Sequence, residues 1–171
     1  MSTKDQALNQ EDLSGISSIS SYKIHIAVSD WNPEITQVLL DGAQTTLIKL
    51  GADKHNIHIV HVPGTFELPV AAKALLSCKS ADAVICLGCV IKGETEHDMF
   101  INQSVANALN QLAIMSGKPI TFGVLTVNNL QQAKDRAGGK YGNKGTEAAI
   151  TAAKMVHLHK ELEKPGGKIG F

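Results

Sequence analysis

The segment Asp82–Gly88, Asp-Ala-Val-Ile-Cys-Leu-Gly, decides the fold. Its apolar residues follow one another without alternation, and the run is too short for a helix. That is the pattern of a strand covered on both faces, as in a parallel sheet. Reading outward, Lys23–Ser29 (KIHIAVS), Ile57–Val62 (IHIVHV) and Ile120–Val127 (ITFGVLTV) are strands of similar character. Between the first two, Ile35, Val38, Leu39, Ala43, Leu47 and Leu50 recur at three- and four-residue steps and predict a helix. Asn32 is expected to cap it and Pro33 to open it, because Pro lacks only an N–H that would be unpaired there. Gly51 is its stop signal. Leu68–Leu76 predicts a second helix. Asp98–Met115 predicts a third, with Ile101, Val105, Leu109 and Leu112 on one face. Asn129–Ala137 and Gly145–Leu162 are the last two.

The order is βαβαβαβα. Such alternation predicts an α/β fold in which a parallel sheet carries helices on both faces, joined by right-handed crossovers. One domain is expected over 22–163. It follows a polar arm, residues 1–21, that lacks the apolar stretch of a signal peptide, and precedes a Gly- and Pro-rich tail, 164–171.

Composition narrows the function. The 171 residues carry 16 basic and 16 acidic side chains, a formal net charge of zero, and Arg136 is the only arginine beside fifteen lysines. Nucleic-acid binding, which needs a clustered basic face, is not expected. No apolar run approaches the roughly 20 residues of a membrane span. The three cysteines, Cys78, Cys86 and Cys89, read as reduced thiols of a cytoplasmic protein. Cys86 and Cys89 form a C-x-x-C, but it runs along a strand instead of opening a helix, so a structural pair is the expectation. No spacing typical of a metal site occurs.

Ligands of such folds gather at the carboxyl ends of the strands. The loop after Ser29 holds Trp31, the only Trp. It either covers the sheet edge or serves as a stacking plate for a flat heterocycle. After Val62 comes Pro63-Gly64-Thr65-Phe66-Glu67, where Glu67 is either a helix-start carboxylate or an acceptor for polyol hydroxyls. After Gly88, two glycines permit close backbone approach. Thr95 suits an anion at a helix start, and His97 suits proton transfer. After Val127, glycines accompany Arg136 and Lys144. No P-loop or dinucleotide fingerprint is present, but an arginine fork could hold a phosphate.

Four segments together, Pro63–Pro69 (PGTFELP), Gly88–His97 (GCVIKGETEH), Pro119–Gly145 (PITFGVLTVNNLQQAKDRAGGKYGNKG) and Glu147–Met155 (EAAITAAKM), resemble the 6,7-dimethyl-8-ribityllumazine synthase family, in register from about Lys23 to Leu158. The resemblance implies a flavodoxin-like three-layer α/β/α sandwich with a four-stranded parallel sheet. It implies a transferase of riboflavin synthesis that condenses 5-amino-6-(D-ribitylamino)uracil with 3,4-dihydroxy-2-butanone 4-phosphate, without cofactor or metal. A ring amine attacks the ketone to form an imine, a proton and inorganic phosphate leave, and ring closure with loss of water follows. By position, Trp31 would cover the pyrimidine, and Thr65, Phe66 and Glu67 would bind the ribityl chain. The backbone of Cys89, Val90 and Ile91 would hold the pyrimidine edge. Glu94, Thr95 and Arg136 would hold the phosphate, and His97 would transfer protons. Phe122 and Lys144 would reach the site from an adjacent subunit.

The resemblance also implies a homopentamer. The short GGKYGNKG segment (Gly138–Gly145) favours closure of pentamers into a 60-subunit icosahedral shell, with riboflavin synthase as a candidate partner. One departure stands out: Asp98 and Met99 follow His97 where relatives often carry an aromatic and then an acidic residue, and Asp98 is placed to orient or charge-stabilise His97. The small residues Ala148, Ala149, Thr151, Ala152 and Ala153 of the last helix fit either helix propensity or close packing against neighbours. Two rival readings are a flavodoxin-like module that binds a flavin or lumazine without turnover, and a shell whose catalysis is vestigial. His97, Arg136 and Lys144 together favour the enzyme.

Overall fold

The computed structural model describes residues 18–163. Four parallel strands, β1 (Ile24–Ser29), β2 (Ile59–Val62), β3 (Ala83–Ile91) and β4 (Ile120–Val127), form one sheet in the order β2-β1-β3-β4. Helices α1 (Pro33–Lys49), α4 (Leu130–Arg136) and α5 (Lys144–Leu162) cover one face; α2 (Leu68–Cys78) and α3 (His97–Ser116) cover the other. The apolar runs of the sequence follow from this layering. Ile24, Ile26, Val28, Ile85 and Leu87 point into the first core, while Ala27, Val84 and Cys86 point into the second. Both faces of each pleat need apolar side chains, so the strands show no alternation. The expected three-layer sandwich is therefore the observed architecture. Among the described residues, no helix is long and apolar enough to cross a membrane.

The alanines of α5 find their partners within the chain. Ala148, Ala149, Ala152 and Ala153 are buried in the core shared with α1 and the sheet. Asn143 locks the two helices together. Its Oδ1 accepts from the backbone N–H of Gly145 and Thr146, at 2.8 and 3.2 Å, which caps α5. Its Nδ2 donates to the Val38 carbonyl in α1 at 2.9 Å. The side chain enters through the space left by Gly42, where a Cβ would meet it at 2.6 Å.

The structure departs from the expected elements in five places. First, β3 runs past Gly88 to Ile91, because β4 continues to pair with it up to Ile91 and Val127. Second, β2 begins at Ile59, not Ile57. A 3-10 turn over Lys54–Asn56 precedes it, and the His58 N–H donates to His25 Nδ1 at 3.2 Å. Third, the stretch after α4 is not wholly a loop. It holds a small antiparallel hairpin, β5 (Ala137–Gly139) and β6 (Gly142–Asn143), with positive-φ glycines at the register shift, Gly138, and just after the turn, Gly142. Fourth, Asn32 stands at the start of α1 but its side chain makes no cap bond; its backbone is left-handed, which turns the amide away. Fifth, Ile19, inside the expected N-terminal arm, is fully buried in the core. The remainder of that arm, 1–17, and the tail, 164–171, lie outside the described residues.

Candidate active site

The strand order places a topological switch at the carboxyl ends of β1 and β3. From β1 the chain passes to β2 on one side; from β2 it crosses to β3 on the other. The loops diverge there and leave a crevice. The ladder between β1 and β3 ends at Val28 and Leu87, yet β3 runs on to Ile91. The last residues of β3 therefore offer backbone groups that β1 does not pair, and backbone polar groups need partners. A cavity of about 460 Å³ opens at this point.

Each wall comes from one strand end. Trp31 and Asn32 follow β1. Gly64, Thr65, Phe66 and Glu67 follow β2. Cys89, Val90 and Ile91 end β3, and Gly93, Thr95, His97, Asp98 and Ile101 belong to the next loop and the first turns of α3. Trp31 is 72% exposed, too open to be a cover for the sheet edge, and Phe66 is exposed as well. The cavity thus has two aromatic side chains on its rim and a backbone edge at its floor. Flat polar rings suit such a lining.

Several side chains already have local duties. Glu67 Oε2 accepts from the Gly64 N–H at 2.9 Å, so the carboxylate shapes its own turn. A carboxylate offers further lone pairs, which face a site open to hydroxyl donors. Thr65 is buried against Gly88, where a Cβ would stand 2.7 Å from its Oγ1. The absent side chain of Gly88 makes room for Thr65, not for a ligand as the sequence suggested. Gly93 has open space around it. Cys89 is buried, and burial pushes its thiol up to about 11. A thiol in that state is a poor nucleophile near neutrality, and Cys86, pushed up to about 12, is no better. The two cysteines belong to opposite cores, as alternating strand residues must unless they lie an even number apart.

His97 is the first residue of α3 and is exposed to the cavity. Asp98 also lines it, but its Oδ1 is buried with no hydrogen-bond partner among the described residues. That oxygen makes no bond to His97. Thr95 lies in the bend before α3 and Glu94 beside it is exposed outside the cavity lining. Among the described residues, no group of three or more His, Cys, Asp or Glu could hold a metal ion.

Three expected site residues lie elsewhere. Phe122 and Lys144 line a second cavity of about 310 Å³, between the start of β4 and the start of α5. Phe122 pairs with Cys86 in the sheet, five residues before the pair of Ile91 and Val127. At the rise of a strand that is roughly 16 Å from the end of β3. Lys144 pairs with Glu147 there. Arg136 ends α4 and lines neither cavity; its guanidinium stacks over the Tyr141 ring, 5.1 Å from the centroid. Asn32, read from sequence only as a cap, lines the main cavity and donates from Nδ2 to the Cys89 carbonyl at 3.0 Å. The signal that would have found it is an Asn, after glycine the residue most tolerant of a left-handed backbone, directly after an aromatic at a strand end.

Comparison with known proteins gives a consistent picture. The family model described as 6,7-dimethyl-8-ribityllumazine synthase matches residues 21–160. A protein of that name from Cytophaga hutchinsonii is 51% identical over 157 residues, which cover 91% of this chain and 98% of the relative. One from Parabacteroides distasonis is 46% identical over 158 residues, covering 92% and 99%. One from Thermus thermophilus is 41% identical over 157 residues, covering 92% and 100%.

Proposed function

The chain belongs to the 6,7-dimethyl-8-ribityllumazine synthase family, and on that premise we propose how its residues divide the reaction. The enzyme is a transferase that condenses 5-amino-6-(D-ribitylamino)uracil with 3,4-dihydroxy-2-butanone 4-phosphate, the penultimate step of riboflavin biosynthesis. The single observation that carries the assignment of residues is the cavity at the end of β3. It sets an exposed tryptophan, a backbone edge that β1 does not pair and a histidine around one space.

In this reading Trp31 stacks on the pyrimidine and the backbone of Cys89, Val90 and Ile91 bonds its edge. Thr65, Phe66 and Glu67 receive the ribityl chain, with Glu67 accepting its hydroxyls. Glu94 and Thr95 flank the phosphate, and Arg136 supplies the cationic fork. His97 moves protons during imine formation and phosphate loss. No protein nucleophile is required, so most of the acceleration comes from holding two substrates in contact, with general acid–base help added.

Phe122 and Lys144 act on a neighbour's cavity, because within one chain the sheet holds Phe122 far from the end of β3. The assembly is a homopentamer, and the short Gly138–Gly145 segment favours a 60-subunit shell in the cytoplasm, with riboflavin synthase as its protein partner. Exposed apolar side chains at the end of α3, Ile114 and Met115, support a neighbour at that surface. Complementation tests the shared site. Refolded mixtures of His97→Ala and Lys144→Ala chains should be markedly more active per chain than either variant alone. Mixtures no more active than the two parents would confine each site to one chain.

A further inference from the structure

Trp31 is held by little packing of its own, and an exposed indole that is not anchored samples several rotamers. Its backbone is anchored from both sides. On the β2 side, the Asp30 N–H donates to the Val62 carbonyl at 2.8 Å, one step beyond the last paired residues of the ladder, Ser29 and Val62. The Asp30 carboxylate accepts from Nδ1–H of His61, also at 2.8 Å. On the β3 side, Asn32 Nδ2 donates to the Cys89 carbonyl at 3.0 Å. Asn32 holds φ 59° and ψ 56°, one of two non-glycine residues with positive φ among those described. The left-handed backbone is what sends its side chain toward β3 while its carbonyl accepts from Ile35 and Thr36 to begin α1. Such a conformation is disfavoured outside glycine and persists where its surroundings hold it.

The turn Asp30-Trp31-Asn32 is thus clamped between the ends of β2 and β3, the strands that bring the ribityl-side and pyrimidine-side walls of the cavity. We propose that Asn32 and the Asp30–His61 pair are positioning residues that fix the plane of Trp31 over the pyrimidine substrate. The proposal rests on the reading of Trp31 as the stacking plate. His61 and Asp30 line no part of the cavity, so they act through Trp31 and not on substrate. The amide of Asn32 is already engaged by Cys89, so its part is the same. The two tethers differ in strength. The His61–Asp30 pair is about half exposed, with side chains 52% and 61% accessible, and pairs of that kind contribute little. The Asn32 bond is partly buried and also shapes the backbone.

Trp31 is the only Trp, so its fluorescence anisotropy reads its mobility without a label. The test compares Asn32→Gly, His61→Ala, His61→Gln and Trp31→Ala. Each is followed by anisotropy of the ligand-free protein, where Trp31 remains, and by kcat and KM for both substrates. Asn32→Gly keeps the left-handed turn and removes only the amide donor, so it avoids the folding risk of Asn32→Ala. It should lower Trp31 anisotropy and raise KM for the pyrimidine about tenfold. The KM for the phosphate-bearing substrate should stay constant. His61→Ala should raise the pyrimidine KM about two- to fivefold, and His61→Gln should restore part of it through its own N–H donor. Folded Asn32→Gly and His61→Ala enzymes with the anisotropy and pyrimidine KM of the parent would overturn the proposal. If Trp31→Ala nevertheless raises that KM, the stacking reading survives and only the positioning role falls. An unchanged pyrimidine KM in Trp31→Ala would remove the stacking reading, and the positioning role with it.

Discussion

Gly145 in α5 packs directly on the Leu39 carbonyl of α1: a Cβ at Gly145 would overlap that oxygen and stand 2.7 Å from the carbonyl carbon. Both groups are backbone, so neither can swing aside. Gly145→Ala must push the two helices apart and should destabilise the protein by about 3 kcal/mol, the upper part of the range for overpacking. Gly93→Ala, with nothing within 4 Å of its Cβ, should be close to neutral. Urea midpoints of the two variants check this pair of expectations.

Cys78 is exposed, whereas Cys86 and Cys89 are buried with thiols pushed up to about 12 and 11 by desolvation. Iodoacetamide at neutral pH should modify one cysteine per native chain, and peptide mapping should place it at Cys78. Denaturant should expose all three. Rapid labelling of Cys89 in the native protein would mean that the floor of the cavity is open to solvent.

His25 is buried in β1. Its Nδ1 accepts from the His58 N–H and its Nε2 lies 3.4 Å from the Lys79 carbonyl. Burial holds this imidazole below its ordinary value near 6.5, the charge of His58 adds to the effect, and the Lys79 carbonyl opposes it. The folded state therefore prefers neutral His25. Its contribution is fully present above about pH 6.5 and is lost as the pH falls below that value, where the unfolded chain binds the proton first. Stability should decline as the pH falls below about 6.5, and His25→Gln should flatten that decline while lowering the starting stability. An equally steep decline in His25→Gln would assign the acid sensitivity to other groups.

General acid–base help is worth about 100- to 10,000-fold, so His97→Ala should lower kcat within that range without abolishing turnover. Arg136→Ala should chiefly raise KM for 3,4-dihydroxy-2-butanone 4-phosphate and leave KM for the pyrimidine near its parent value. Steady-state kinetics in both substrates separates the two effects, and an unchanged KM for the phosphate-bearing substrate would remove Arg136 from its role.

The fold was legible because a doubly covered sheet needs apolar residues on both sides of each strand. Ala83–Leu87 shows this as an uninterrupted run, and Ile24–Val28 as a run broken only by the buried His25. The positions of Trp31, Glu67 and His97 were legible because they follow strand ends, and strand ends can be read. What stayed hidden depends on distant partners. The extension of β3 through Cys89, Val90 and Ile91 is imposed by pairing with β4, which begins 29 residues after β3 ends. The bond from Asn32 to Cys89 spans 57 residues and requires a backbone angle that no periodicity announces. The β5–β6 hairpin has strands of three and two residues, too short to carry a pattern. Gly88 looked like a ligand contact, but the tertiary structure fills its space with Thr65.

The most direct test of the central claim mixes the purified protein with 5-amino-6-(D-ribitylamino)uracil and 3,4-dihydroxy-2-butanone 4-phosphate, following lumazine absorbance and inorganic phosphate together. Both products should appear at equal rates, well above the rate in buffer, and neither should appear when one substrate is withheld. Binding of the pyrimidine, seen as quenching of Trp31 fluorescence, with phosphate release no faster than in buffer would contradict it and leave a module that binds its ligand without turning it over.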